Sequence, residues 1–128
     1  MRPENARRVI GGVPGSEKNG EIYGDYIREI DPAGRIVWEW HSQDLEIERY
    51  PLNMVGHREE FAHCNAVCPL PNGDYMLSFR RISTIMIIDR ATGRPRWEKT
   101  DLTWGMQHDC ELLPNGNILF FEIGRAHV

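Results

Sequence analysis

Two histidines, an asparagine and an arginine are the residues of this chain best suited to chemistry. His63 and Asn65 open HCNAVCPLPNGDYMLSF, and His108 opens HDCELLPNGNILFF. In both stretches the polar residues precede an apolar run that ends in Pro-Asn-Gly, at 71–73 and 114–116. Superposing the two turns, 43 residues apart, puts His108 in the slot that Asn65 occupies. Arg80 lies beyond the first turn, at the end of YMLSF, with Arg81 beside it. Imidazole, carboxamide and guanidinium together suit a compact anion such as sulfate or phosphate. A neutral imidazole is also a nucleophile near pH 7, because its unperturbed pKa is about 6.5. The competing reading of His108 is a strand-end histidine with a satisfied hydrogen bond; the Gln107 context and the match to Asn65 favour catalysis. For His63 and Asn65, a site role and plain hydrogen bonding at a strand end both stay open. Arg80 is favoured as an anion ligand, and strand alternation turns Arg81 outward.

These residues need a scaffold, and its elements are short strands. Segments rich in Ile, Val, Tyr and Trp and closed by turn clusters predict strands near 26–31, 35–40, 64–70, 75–79, 84–89, 94–98, 108–113 and 118–121. Asn-Gly between apolar runs is a hairpin signal, since both turn residues tolerate positive φ. EIDPAGRIVWEW (29–40) and IIDRATGRPRWEK (87–99) form a second internal repeat beside the Pro-Asn-Gly pair. A period of about 40 to 50 residues with four short strands per unit is the mark of a β-propeller. The expected fold is therefore all-β, with antiparallel meander blades, about two of them over residues 1–121. Equivalent positions in a propeller converge on its axis, which would gather His63, Asn65 and His108. The polar stretch 41–60 is expected to be an inserted loop with one helical turn, and its flanking His41 and His57 to be solvated. Trp38 and Trp97 are expected to pack between blades. Asp31 and Asp89 are expected to be turn residues, and Asp109 to be structural.

The net charge of −4 gives no reason to expect a nucleic-acid partner, and no apolar run has the length of a membrane span. Cys64 and Cys68 would share a strand face about 13 Å apart, too far for a disulfide. No paired Cys-x-x-Cys spacing marks a zinc site, so the three cysteines read as buried thiols and no metal ligand is assigned. EIGRAHV at 122–128 breaks the pattern and looks like a translated sequencing adapter; Ile123 to Val128 are expected to be non-native, with Glu122 a hybrid codon. His127 is therefore kept out of the site.

His63-Cys64-Asn65 before its hairpin, Ser78-Phe79-Arg80-Arg81-Ile82-Ser83, and Gln107-His108 through Asn117 resemble the motifs of arylsulfate sulfotransferases, the type that uses no nucleotide sulfate donor. GDYIREIDPAGRIVWEW is similar to the blade pattern of that family, so the resemblance spans roughly residues 22 to 121. It implies a six-bladed propeller whose central histidine is transiently sulfated by an aryl sulfate and passes the group to a phenol. Carried onto this chain, it makes His108 the nucleophile and Arg80 the ligand of the sulfuryl oxygens. His63 and Asn65 would hold donor or acceptor, with His63 assisting proton transfer. The implied partners are a small-molecule aryl sulfate and a phenol, with no cofactor; a periplasmic or extracytoplasmic location would follow from the family alone. A histidine typical of an earlier blade has no match here, and the Asp-Asn-Gly expected after ILFF is replaced by Glu122-Ile123-Gly124. As about two blades, the chain is expected to be inactive by itself. A non-catalytic propeller that binds a ligand or a protein is the competing hypothesis.

Overall fold

The computed structural model describes residues 1–122. The tail at 123–128, read from the sequence as non-native, lies outside the described residues. The described residues are all-β, with one α-helical turn at Pro3–Ala6, several short 3-10 turns and four short sheets. Ten strands are present: β1 Gly11–Val13, β2 Tyr26–Ile30, β3 Ile36–His41, β4 Leu52–His57, β5 Cys64–Pro69, β6 Tyr75–Phe79, β7 Thr84–Ile88, β8 Pro95–Thr100, β9 His108–Leu112 and β10 Ile118–Phe121. All eight strands expected from the sequence form within two residues of their expected ends. Among the described residues no sheet closes on itself.

The chain divides into two compact units, Met1–Ala62 and His63–Val128. In the first, β2 and β3 make an antiparallel hairpin and β1 pairs in parallel with β4. The parallel pair was not expected. Stretch 41–60, expected as a loop with one helical turn, holds two 3-10 turns, Ser42–Asp44 and Ile47–Arg49, and then β4. The turns exist because Leu45, Ile47, Tyr50 and Leu52 are buried, so this stretch carries apolar anchors between its charges. Arg58 ties the start of the unit to β4, its Nη1 donating to the carbonyls of Val9 at 3.0 Å and Gly11 at 2.7 Å. Gly11 cannot be another residue here: a Cβ would lie 2.4 Å from the Leu52 carbonyl oxygen, at a φ of +88°.

In the second unit β5, β6, β7 and β8 form a four-stranded antiparallel meander in chain order. The two Pro-Asn-Gly turns are built alike. Asn72 Oδ1 accepts from the Asp74 N–H at 3.0 Å, and Asn115 Oδ1 from the Asn117 N–H at 2.9 Å. Gly73 and Gly116 supply the positive φ, at 93° and 86°. The β9–β10 hairpin then packs against the meander through one core. Met76, Ile85 and Cys110 are buried at its centre, with Ala66, Ile87, Leu112, Ile118 and Phe120 around them. Trp104 closes it, its ring 4.7 Å from that of Phe120. These residues alternate along their strands, as sheet-on-sheet packing requires. Trp97 was expected in such packing, but it lies on the edge strand β8 and is 42% exposed. Trp40 is the buried tryptophan.

Asp31 and Asp89 do hold their turns: Asp31 Oδ1 accepts from the N–H groups of Ala33 and Arg35, and Asp89 Oδ1 from that of Ala91. A third aspartate does more. Asp74 is buried, and it accepts from the Arg90 N–H, Asn72 Nδ2 and Arg96 Nε at 3.0 to 3.1 Å. The Arg90 N–H above all, then the Arg96 charge, hold its carboxyl below the usual carboxylate range. A depressed folded pKa contributes stability that is present above the unfolded value, about 4, and lost as pH falls through the folded value. Asp74→Asn should therefore flatten the acid limb of a stability-against-pH curve, measured by urea unfolding between about pH 2 and 6. An unchanged acid limb would remove Asp74 from the account.

Candidate active site

All four residues singled out for chemistry lie in the second unit. The chain enters β5 through two left-handed residues, Ala62 (φ 71°) and His63 (φ 56°). His63 therefore precedes the strand, and strand alternation does not relate it to Asn65. The His63 carbonyl accepts instead from the Arg80 N–H at 3.1 Å, which sets the two residues side by side. Arg80 begins a 3-10 turn, Arg80–Ile82, closed by Ser83 in the left-handed region. That turn reverses the expectation for Arg81: alternation does not run through it, and Arg81 is 6% exposed while Arg80 is half-buried.

Asn65 stands out of register between the Cys64–Phe79 and Ala66–Ser78 pairs, a bulge that frees its side chain from the ladder. Its Nδ2 donates to the Gln107 carbonyl at 2.8 Å. The residue after that carbonyl is His108, the first of β9. This strand also slips in register, with Asp109 at a φ of 55°. Two residues before His108, Met106 has a φ of 58°, matching His63 two residues before Asn65. The repeat thus extends to backbone conformation, and each left-handed non-glycine residue costs on the order of 1–3 kcal/mol.

His108 is half-buried, and its Nδ1 lies 2.8 Å from the Met106 carbonyl oxygen. A carbonyl only accepts, so Nδ1 carries the proton and Nε2 keeps its lone pair when the ring is neutral. The ring is held by one end and presents the other. Asp109 is exposed and forms no hydrogen bond with it among those described.

Gln107 entered the sequence reading only as the context of His108 and as part of a Gln-His motif, with no role of its own, yet its side-chain nitrogen is held on three sides. Fully buried at 0% exposure, its Nε2 lies within 3.1 to 3.3 Å of Phe79 O, Thr84 O and Ser78 Oγ. Its repeat partner is Cys64, so the repeat itself gave no cue; the signals were its place one position ahead of a strand-opening histidine and the Gln-His motif. Cys110 is no rival nucleophile. Burial first, and Cys68 second, push its thiol up to about 12, so it stays protonated at neutral pH. Cys64, Cys68 and Cys110 form no disulfide with one another. No helix among the described residues is long and apolar enough to cross a membrane.

A family profile described as "Arylsulfotransferase (ASST)" matches residues 4–122. The chain belongs to the arylsulfotransferase family. The match takes in every residue of the candidate site and reaches further toward the start of the chain than the motifs alone did. Comparison with curated proteins and with solved structures returns no match. Membership points to a transferase of the sulfotransferase type acting on small molecules.

The site geometry of this arylsulfotransferase chain makes a direct spectroscopic expectation. With ¹⁵N-labelled histidine, neutral His108 should show the Nδ1–H tautomer, with a protonated-type Nδ1 shift and an unprotonated Nε2 shift. A dominant Nε2–H signal would contradict the Met106 contact.

Proposed function

We propose that this chain is part of an enzyme that moves a sulfuryl group from an aryl sulfate to a phenol through a sulfo-histidine at His108. The observation that carries the reading is the His108 ring, anchored through Nδ1 on the Met106 carbonyl in the residue that follows the carbonyl held by Asn65. In the first half-reaction the Nε2 lone pair attacks sulfur and the S–O bond to the aryl group breaks. The departing aryloxide takes a proton from His63 acting as general acid. In the second, His63 accepts the proton of the incoming phenol, whose oxygen attacks sulfur as the N–S bond breaks. The imidazole recovers its lone pair, and no other reactant is needed.

Arg80 balances the charge spread over the three sulfuryl oxygens, and Asn65 orients donor or acceptor. Met106 supports the nucleophile: its carbonyl stabilises the Nδ1–H of the positively charged ring in the sulfo-histidine. The architecture proposed for the parent protein is a β-propeller. Its support is the four-stranded meander β5–β8, packed face to face on a hairpin that repeats it 43 residues on. About two blades would lack site residues from the others, so the chain alone is proposed to be inactive, with 41–60 an insertion in its first blade.

The test uses the full-length parent protein and a chromogenic aryl sulfate. Mass spectrometry under quench should find a sulfuryl adduct on the peptide bearing His108. His108→Asn should abolish both adduct and turnover, a loss of about three orders of magnitude or more. Arg80→Ala should lower turnover roughly 100-fold. Turnover that survives His108→Asn would end the assignment, and ligand binding without any turnover in the wild type would favour a binding module.

A further inference from the structure

We infer that Gln107 is a positioning residue for sulfuryl transfer, an inference that rests on the reading of His108 as nucleophile. One buried residue bonds to Asn65, adjoins His108 and bonds to both sides of the turn that carries Arg80. Through its side chain it holds the turn that carries Arg80: Nε2 meets the carbonyl of Phe79, just before that turn, at 3.1 Å. It also meets the carbonyl of Thr84, just after the turn, at 3.2 Å. Through its main chain it is held by Asn65, whose Nδ2 donates to its carbonyl at 2.8 Å. Ser78 Oγ adds a contact to each end, 3.3 Å from Nε2 and 3.5 Å from the carbonyl oxygen. The next residue is His108.

The chemistry of these contacts fixes the carboxamide's orientation. Phe79 O and Thr84 O can only accept, so the nitrogen must face them and the amide cannot be flipped. The carboxamide is only half satisfied. Its Oε1 is buried without a hydrogen-bond partner, a cost of about 1–3 kcal/mol that offsets part of what Nε2 contributes at the two carbonyls. What the carboxamide supplies is a fixed distance. The nucleophile strand and the anion-binding turn belong to different hairpins, joined in the core by apolar contacts that specify no register along the strand. A directional donor to two carbonyls sets that register. Displacement of about 1 Å between nucleophile and anion ligand is enough to cost up to a hundredfold in rate.

The experiment compares wild type, Gln107→Met and Gln107→Glu in the full-length protein. Gln107→Met keeps the shape and removes the donor. It should lower the rate of adduct formation on His108 roughly 10- to 100-fold, with little change in KM for the aryl sulfate. The ¹⁵N spectrum of His108 should change from one tautomer to a mixture. Gln107→Glu adds a pH signature: a protonated carboxyl can still donate to one carbonyl, and an ionised one cannot. Its rate relative to wild type should therefore rise as pH is lowered. Unchanged adduct kinetics and an unchanged His108 spectrum in folded Gln107→Met would overturn the inference. If that variant does not fold, a Gln107→Glu profile parallel to wild type overturns it instead. If wild type forms no adduct at all, the proposed function fails first; the His108 spectra then decide, on their own, whether Gln107 positions that ring.

Discussion

Backbone carbonyls buried at the end of a hairpin must find donors, and in this unit one carboxamide provides for two of them. The Phe79 and Thr84 carbonyls flank the turn between β6 and β7, where Ser78, Phe79 and Thr84 are all buried away from water. Once the donor comes from outside the hairpin, the segment that carries it is fixed too. That segment is the entry to β9, so its bulge, its leading histidine and the core beneath follow from where the amide docks. Apolar burial supplies the attraction between the two sheets. The directional contacts choose one arrangement among those that would bury similar area.

The strands and turns were legible because they are written in local chemistry. Alternating apolar residues and Pro-Asn-Gly act over a few residues, and every strand announced that way formed. The parallel partners β1 and β4 were not announced. Gly11-Gly12-Val13 offers almost no side-chain pattern, and its pairing depends on a backbone approach that only glycine permits. The stretch from 41 to 60 was misread for a related reason. Its apolar anchors are spaced for 3-10 turns and are outnumbered by charges.

For the site, internal repetition carried the information. Aligning the two turns found His108 and Asn65, and the structure joins them through the Gln107 carbonyl. Where inference leaned on alternation beyond a strand end it went astray: Arg81 is drawn inward by a 3-10 turn. Alternation is a property of extended backbone and stops with it. Gln107 was named only as context for His108; which carbonyls surround its side chain is a long-range fact with no sequence signature. Family membership, by contrast, was recoverable from short motifs, since those motifs are the parts in which the repeats differ from one another.

The matched left-handed residues, His63 and Met106, have a broader meaning for a repeated architecture. They hold the same bend in successive repeats but carry an imidazole in one and a thioether in the other. Two residues along, the assignment reverses, with a carboxamide in the first repeat and an imidazole in the second. A duplicated backbone thus offers a set of equivalent sockets whose contents can be changed one at a time. Symmetric scaffolding is in this way compatible with a lopsided pocket, and a reaction with one attacking group and one charge-balancing side needs a pocket of that kind.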